Sequence, residues 1–209
     1  MRLLRVLGAG TLLVAAACGG GGDGGTTNPP PAQTLGEIRP TPANVALTAG
    51  QSTTINVAAI NTNGGTISNA GTPTFTTQSA TVAEVNAQGV VFGVSAGTTS
   101  IDISLSFGGV TKTASVPVVV TGTFGPMATV TASSASNIFQ PQIVGVARGG
   151  TVTWSFSTVE HNVTFSGGGS PANIPNTVNS SVSRTFGTAG NFPYDCSIHA
   201  GMTGTVIVR

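Results

Sequence analysis

Charged side chains are scarce in this sequence. Lys and Arg together number 7 and Asp and Glu together number 6, so 6% of the residues are charged and the formal net charge is +1. An average soluble domain carries about 25% charged residues. Because there is no excess of positive charge and no cluster of Lys or Arg, the chain lacks the basic surface that binds nucleic acid. We therefore expect no nucleic-acid partner.

The side chains that most often bind metals or perform catalysis are also few. The chain has 2 His, 2 Cys and 3 Met. Two His are too few for a centre with several copper ions, which excludes a multicopper oxidase. The acids Glu84 and Asp102 stand alone in the first half of the chain and are expected to be solvated. Any chemistry must therefore come from a small number of residues.

Thr, Ser, Val and Gly are abundant instead, and this composition is typical of β-sandwiches. Short runs with apolar residues at every second position are separated by Gly-rich turns, which predicts an all-β fold with two β-sandwich domains. We place the domains at residues 34–121 and 128–209, with a linker at 122–127 that contains Gly and Pro. The motif Phe107-Gly108-Gly109-Val110 predicts a hairpin, because Gly-Gly supplies the positive φ values of a two-residue turn.

Residues 1–18 have the features of a secretion signal. Arg2 and Arg5 precede an apolar stretch that is too short to span a bilayer as a mature helix, and three Ala residues precede Cys18. Small residues directly before a Cys resemble the lipobox of bacterial lipoproteins, which implies cleavage before Cys18 and lipidation of Cys18. The alternative is ordinary signal cleavage near Ala17. Residues 19–33, rich in Gly and Pro, predict a flexible tether. We expect an extracytoplasmic protein anchored to the membrane, in the periplasm or at the cell surface.

The first domain resembles the bacterial Ig-like domains of surface proteins. The resemblance covers most of residues 34–121 and rests on three segments, residues 45–52, 80–91 and 96–101. It implies a sandwich that serves as a spacer or as an adhesion-like module. The segment contains no constellation of His, Cys or paired carboxylates, so we place no chemistry there.

The second domain contains a concentrated set of metal donors. Cys196, His199 and Met202 follow one another at intervals of three residues, and His161 lies upstream. One thiolate, two imidazoles and one thioether are the donor set of a blue-copper site, in which Met is a weak axial ligand. If Cys18 is lipidated, Cys196 has no disulfide partner in an oxidising compartment, and a bound metal would hold its thiol. Zinc is disfavoured because Met is a poor zinc ligand.

The motifs around these donors resemble a cupredoxin of the plastocyanin and amicyanin group. In chain order they are Phe139-x-Pro141, Gly150-Thr151-Val152-Thr153-Trp154, His161-Asn162-Val163-x-Phe165 and Gly190-x-Phe192-x-Tyr194-x-Cys196-x-x-His199-x-x-Met202. The resemblance covers nearly the whole second domain. It implies a Greek-key sandwich that binds one copper ion at one end through His161, Cys196, His199 and Met202. It also implies that Asn162 ties the ligand regions together by hydrogen bonds and that His199 reaches the surface as the electron port.

These expectations predict a mononuclear copper protein that carries single electrons and is not an enzyme in itself. Its expected cofactor is one copper ion that alternates between Cu(I) and Cu(II). Its expected partners are redox proteins and, through the N-terminal anchor, the lipid membrane. Two alternatives remain open: copper sequestration or delivery with the same ligands, and a cell-surface adhesion module in which copper is incidental.

Overall fold

The computed structural model describes residues 33–209, which form one compact unit. Within this range the regular secondary structure is entirely β-strand, so the predicted all-β fold is confirmed. The described residues include no helix long and apolar enough to cross a membrane. The predicted signal, Cys18 and residues 19–32 of the predicted tether lie outside the described residues.

The first nine strands build the first sandwich. They form a four-stranded sheet in the order β2-β9-β8-β5, a three-stranded sheet in the order β3-β7-β6 and the pair β1-β4. Their bounds are β1 (Leu35–Thr41), β2 (Val45–Thr48), β3 (Ser52–Thr54), β4 (Asn56–Asn61), β5 (Thr74–Thr77), β6 (Ala83–Val85), β7 (Val90–Gly93), β8 (Gly97–Phe107) and β9 (Val110–Thr121).

The hairpin predicted at Gly108-Gly109 joins the two longest strands of this sandwich. Strand β8 ends at Phe107, β9 begins at Val110, and these two residues pair directly. The φ angles of the two glycines are +59° and +77°. Both values are positive, as a type I′ turn requires, so the prediction is confirmed.

The last nine strands build the second sandwich. One sheet has four strands in the order β11-β10-β13-β16, and the other has five in the order β12-β18-β17-β14-β15. Their bounds are β10 (Met127–Ser133), β11 (Ile138–Gln140), β12 (Ile143–Val146), β13 (Thr151–Phe156), β14 (His161–Phe165), β15 (Ile174–Thr177), β16 (Ser180–Thr185), β17 (Gly190–Asp195) and β18 (Thr203–Val208).

Apolar side chains at every second strand position fill the core of the second sandwich. In β13 the side chains of Val152, Trp154 and Phe156 are buried, whereas the intervening Thr and Ser residues are partly exposed. Successive strand residues face opposite sides of a sheet, so this spacing sends every apolar side chain inward. Trp154 is 0% exposed and belongs to this core.

A narrow joint connects the two sandwiches. The Gly145 N–H donates to the Gly50 carbonyl at 2.6 Å, and the Ser52 hydroxyl donates to the Ile143 carbonyl at 2.5 Å. Both bonds end on β12, which lies at the edge of its sheet and pairs on its other side with β18. The first sandwich therefore covers backbone groups that an isolated second sandwich would leave exposed at a sheet edge.

The joint leaves no room for a side chain at Gly145. A Cβ atom there would lie 2.6 Å from the Gly50 Cα and would also overlap the Phe124 ring. We expect Gly145→Ala to destabilise the protein by about 1–3 kcal/mol, because overpacking forces the neighbouring groups apart. Denaturant unfolding measures this change.

Gly187→Ala is the matched control, because a Cβ at Gly187 meets nothing within 4 Å. We expect its unfolding midpoint to stay close to that of the unmodified protein. If Gly145→Ala and Gly187→Ala have equal unfolding midpoints, a side chain at Gly145 does not destabilise the joint, and the prediction is wrong.

Candidate metal centre

The predicted ligands come from two chain segments that meet at one end of the second sandwich. His161 is the first residue of β14, and Cys196 directly follows the last residue of β17. Strands β14 and β17 are antiparallel neighbours with Thr164 opposite Asp195. Continuing that register beyond β17 brings the start of β14 alongside the residues that follow Asp195. The structure thus brings together all four predicted ligand residues, since His199 and Met202 lie on the same loop as Cys196.

The spacing of three residues between ligands on the loop corresponds to two consecutive turns. The His199 N–H donates to the Cys196 carbonyl at 3.1 Å, and the Met202 N–H donates to the His199 carbonyl at 3.2 Å. The Cys196 N–H donates to the Met202 carbonyl at 2.9 Å and closes the mouth of the loop. Three backbone hydrogen bonds therefore hold the ligand loop in shape before any metal binds.

Three donor atoms converge in this arrangement. The Nδ1 atoms of His161 and His199 are 3.0 Å apart, and the Cys196 Sγ lies 3.9 Å from the first and 3.4 Å from the second. A point equidistant from the three atoms lies about 2.0 Å from each, and a first-row ion such as zinc binds imidazole nitrogen and thiolate sulfur at about 2.0–2.3 Å. The three side chains therefore fit a single metal ion without rearrangement.

The chemistry of the donors selects the ion. Thiolate and thioether sulfur are soft ligands that suit Cu(I), and imidazole suits copper in both oxidation states. Met202 is 1% exposed and ends the ligand loop, so its thioether is shielded from water. A site with two imidazoles, one thiolate and a Met at the loop end fits copper better than zinc, for which Met is a poor ligand.

Burial keeps His161 in the form that binds a metal. Its side chain is 0% exposed, and this burial, together with the nearby His199, lowers the pKa of His161 below its ordinary value. The backbone carbonyl of Ser133 acts in the opposite direction. Neutral imidazole is the species that coordinates metals, so the lowered pKa favours a ready ligand.

The buried thiol has a hydrogen-bond donor beside it. Cys196 is 3% exposed, and the backbone N–H of Asn162 points at its Sγ at 3.5 Å. A hydrogen bond to a ligating sulfur withdraws electron density from it and tunes the metal. The position of Asn162 is therefore part of the electronic environment of the site.

The Asn162 side chain forms hydrogen bonds between the two ligand segments. Its Oδ1 accepts from the Ser197 N–H at 2.9 Å, and its Nδ2 donates to the Ser197 hydroxyl at 2.8 Å. The same Nδ2 donates to the Asn176 Oδ1 at 2.9 Å. The carboxamide of a residue next to one ligand thus bonds the residue next to another.

Two further residues of this network were not singled out as functional from the sequence. Asn176 lies on β15, and its Nδ2 donates to the Glu160 carboxylate at 3.0 Å. Glu160 is itself exposed to solvent. In the sequence, only its position beside His161 indicates that Glu160 lies near the site. Nothing in the sequence indicates the same for Asn176, because the pairing of β15 with β14 decides its location.

Aromatic rings support the ligand loop from below. Tyr194, two residues before Cys196, packs edge-to-face on Trp154 at 5.4 Å and on Phe139 at 4.9 Å between ring centroids. Tyr194 is 2% exposed, and this burial raises its pKa well above the ordinary range. The rings are large, rigid and buried, so they fix the end of β17 from which the ligand loop begins.

His199 is the one ligand that reaches the surface. It is partly exposed, whereas His161, Cys196 and Met202 are buried. The next residue toward Cys196 is Ile198, whose side chain is 44% exposed. His199 is therefore the donor of this cluster that an external molecule can reach, and an exposed apolar side chain lies next to it in the chain.

Comparison with known proteins gives the same assignment for the second sandwich. Residues 127–209 match the family model of copper binding proteins, plastocyanin/azurin family. The chain is 33% identical over 91 residues to the chloroplastic plastocyanin of Tetradesmus obliquus, a match that covers 37% of this chain. The chain spans 63% of the length of that plastocyanin. With the converging donors, these matches identify copper as the cofactor of the site.

Solved structures are similar to parts of the chain. A reduced Cu(I) form of an amicyanin variant is 28% identical, with a TM-score of 0.36, over 40% of this chain and 82% of that chain. A purple cupredoxin from Nitrosopumilus maritimus is 23% identical, with a TM-score of 0.35, over 39% of this chain and 99% of that chain. Domains 4 and 5 of the S-layer protein SbsC are 25% identical, with a TM-score of 0.37, over 44% of this chain and 54% of that chain.

Gly201 is required by the second turn of the ligand loop. Its φ is +80°, and a Cβ there would meet nothing within 4 Å, so a substitution acts only through the backbone. A left-handed conformation costs a non-glycine residue about 1–2 kcal/mol. We expect Gly201→Ala to reduce the stability of the metal-free protein by about that amount and to weaken copper binding.

Gly168→Ala is the control, because this exposed glycine also has open space around it and its φ is not in the left-handed region. Denaturant unfolding and a copper competition titration compare the two variants. If Gly201→Ala behaves like Gly168→Ala in both measurements, the ligand loop does not depend on this turn.

Proposed function

We propose that this protein is a mononuclear type 1 copper protein that carries single electrons outside the cytoplasm. The observation that carries the proposal is the convergence of Cys196 Sγ with the Nδ1 atoms of His161 and His199, at separations of 3.0 to 3.9 Å. The match of residues 127–209 to the plastocyanin/azurin family supports it. When bound, copper supplies a one-electron couple between Cu(I) and Cu(II).

Rigidity favours electron transfer over other uses of the site. His161 begins a strand, and Cys196, His199 and Met202 lie on a loop that three backbone hydrogen bonds close. Ligands that are held in place by the scaffold change position little between oxidation states. Electron transfer then requires little rearrangement, which keeps its barrier low.

We propose that electrons enter and leave through His199. Its Nδ1 lies among the donor atoms and would hold the metal there, while the residue is partly exposed. The exposed Ile198 beside it offers an apolar contact for a redox partner, and apolar surface at this position would allow close approach without a charged patch. The donor and acceptor would be redox proteins of the same compartment.

We propose that lipidated Cys18 anchors the protein to a membrane and that residues 19–33 serve as the tether. Cys196 is buried in the metal centre, so Cys18 is the cysteine left for lipidation. The first sandwich then serves as a spacer between the tether and the copper site. The proposal assigns no catalytic reaction to the chain.

A visible titration with Cu(II) tests the copper site. We expect an intense blue or green band that saturates at one equivalent and is bleached by ascorbate. Cys196→Ser should abolish the band, because a hydroxyl cannot supply the sulfur-to-copper charge transfer. Ser197→Ala is the neighbouring control and should keep the band. A band that survives in Cys196→Ser would contradict the thiolate assignment.

Measurement of electron self-exchange separates a carrier from a copper store. We expect rapid self-exchange between the Cu(I) and Cu(II) forms, because the scaffold holds the ligands in place in both states. Slow exchange together with ready release of copper to a competing chelator would favour sequestration or delivery instead.

Replacement of Met202 tests its axial role. We expect Met202→Leu to keep copper bound and to raise the reduction potential, because an apolar side chain at this position makes the surroundings of the site less polar and disfavours the more highly charged Cu(II). Cyclic voltammetry measures the potential, and metal analysis measures the copper content. Loss of all copper would show that Met202 is a principal ligand and not a weak one.

A further inference from the structure

A chain of hydrogen bonds leads from an exposed carboxylate to the thiolate ligand. The Glu160 carboxylate accepts from Asn176 Nδ2 at 3.0 Å, and Asn176 Oδ1 accepts from Asn162 Nδ2 at 2.9 Å. The backbone N–H of Asn162 then points at Cys196 Sγ at 3.5 Å. None of the metal-binding roles assigned above uses Glu160 or Asn176.

An irregularity in the sheet places Asn176 in this chain. Strands β14 and β15 pair His161 with Thr177 and Val163 with Ile174, so one residue of β14 lies opposite two residues of β15. Asn162 is that single residue, and Pro175 and Asn176 are the two opposite it. A β-bulge redirects side chains at such a position. Here it directs the Asn176 carboxamide at Asn162.

Asn176 completes the hydrogen bonding of the Asn162 side chain. The Asn162 carboxamide accepts from the Ser197 N–H and donates to the Ser197 hydroxyl and to Asn176 Oδ1. Asn162 is 7% exposed, so its amide depends on protein partners, and an unpaired buried amide is costly. Asn176 therefore restrains Asn162, and the backbone N–H of Asn162 points at the Cys196 sulfur.

We propose that Asn176 is a positioning residue that sets the reduction potential of the copper site through Asn162. Asn176 holds Asn162 so that its N–H stays on Cys196 Sγ. The inference rests on the proposed function in so far as the potential is its main readout.

The two residues act on the potential with opposite sign. A hydrogen bond to the thiolate reduces its donation to the metal and favours Cu(I), so a looser Asn162 lowers the potential. The Glu160 carboxylate is a negative charge near the site and favours the more positive Cu(II), so removal of its charge raises the potential. The sign of the change in potential therefore distinguishes the loss of a hydrogen bond to the thiolate from the loss of a nearby negative charge.

Three variants test the proposal by voltammetry of the copper-loaded protein. Asn176→Ala removes the hydrogen bonds of Asn176 to Asn162 and to Glu160. We expect it to lower the reduction potential by about 28 mV. This shift corresponds to a threefold change in the relative affinity for Cu(II) and Cu(I), since a tenfold change corresponds to 59 mV. Glu160→Gln keeps an acceptor for Asn176 and removes the charge, and we expect it to raise the potential. Asn173→Ala is the matched control. Its side-chain oxygen accepts from the Phe165 N–H at 3.0 Å, away from Asn162, so the potential should not change.

Hydrogen exchange in the metal-free protein supplies a readout that is independent of copper. The Ser197 amide donates to Asn162 Oδ1, so its exchange rate reports whether Asn162 stays in place. We expect faster exchange at Ser197 in Asn176→Ala, and unchanged exchange in Glu160→Gln and Asn173→Ala.

The outcomes separate this inference from the proposed function. An unmodified protein without a thiolate-to-copper band would refute the proposed function, and the exchange rate at Ser197 would still decide whether Asn176 positions Asn162. If Asn176→Ala matches Asn173→Ala in both potential and exchange, the positioning role is wrong. A potential that rises in Asn176→Ala would also overturn it.

Discussion

The pairing of β14 with β17 is the constraint on which the metal centre depends. Thr164 lies opposite Asp195 and Phe165 opposite Tyr194, and the same register places Asn162 beside Ser197. A shift of one residue would turn every side chain of β14 to the other face of the sheet and would separate His161 from Cys196. The ligand set is therefore a consequence of strand register, and the short ligand loop only completes it.

The buried rings of the second sandwich protect that register. Trp154, Phe165, Phe186 and Tyr194 contact one another across the two sheets at centroid distances of 5.4 to 6.5 Å. Protein interiors are close-packed, so strands held by such rings cannot slide without opening a void. Packing below the ligand loop and hydrogen bonds within it thus act together to hold the donor atoms in place. Such a site suits electron transfer, because little reorganisation accompanies a change of oxidation state.

The first sandwich contacts the second at the outer edge of β12. Gly50 and Ser52 bond the outer edge of β12, and the ring of Phe124 packs edge-to-face on Phe92 at 5.9 Å. Close approach at Gly145 makes the joint specific to glycine. Such a joint would hold the copper site at a defined position relative to the first sandwich.

The sequence alone determined the fold class, the hairpin at Gly108-Gly109 and the identity of the four candidate ligands. These features depend on local properties: alternation of apolar residues, the φ freedom of glycine, and donor types concentrated in a chain with few His, Cys and Met. The tertiary structure alone decided the separations of the donor atoms, the joint at Gly145 and the contact between Asn162 and Asn176. Each of these depends on which strands become neighbours and on a bulge between β14 and β15. Strand pairing joins residues that are distant in sequence, and no local pattern encodes it.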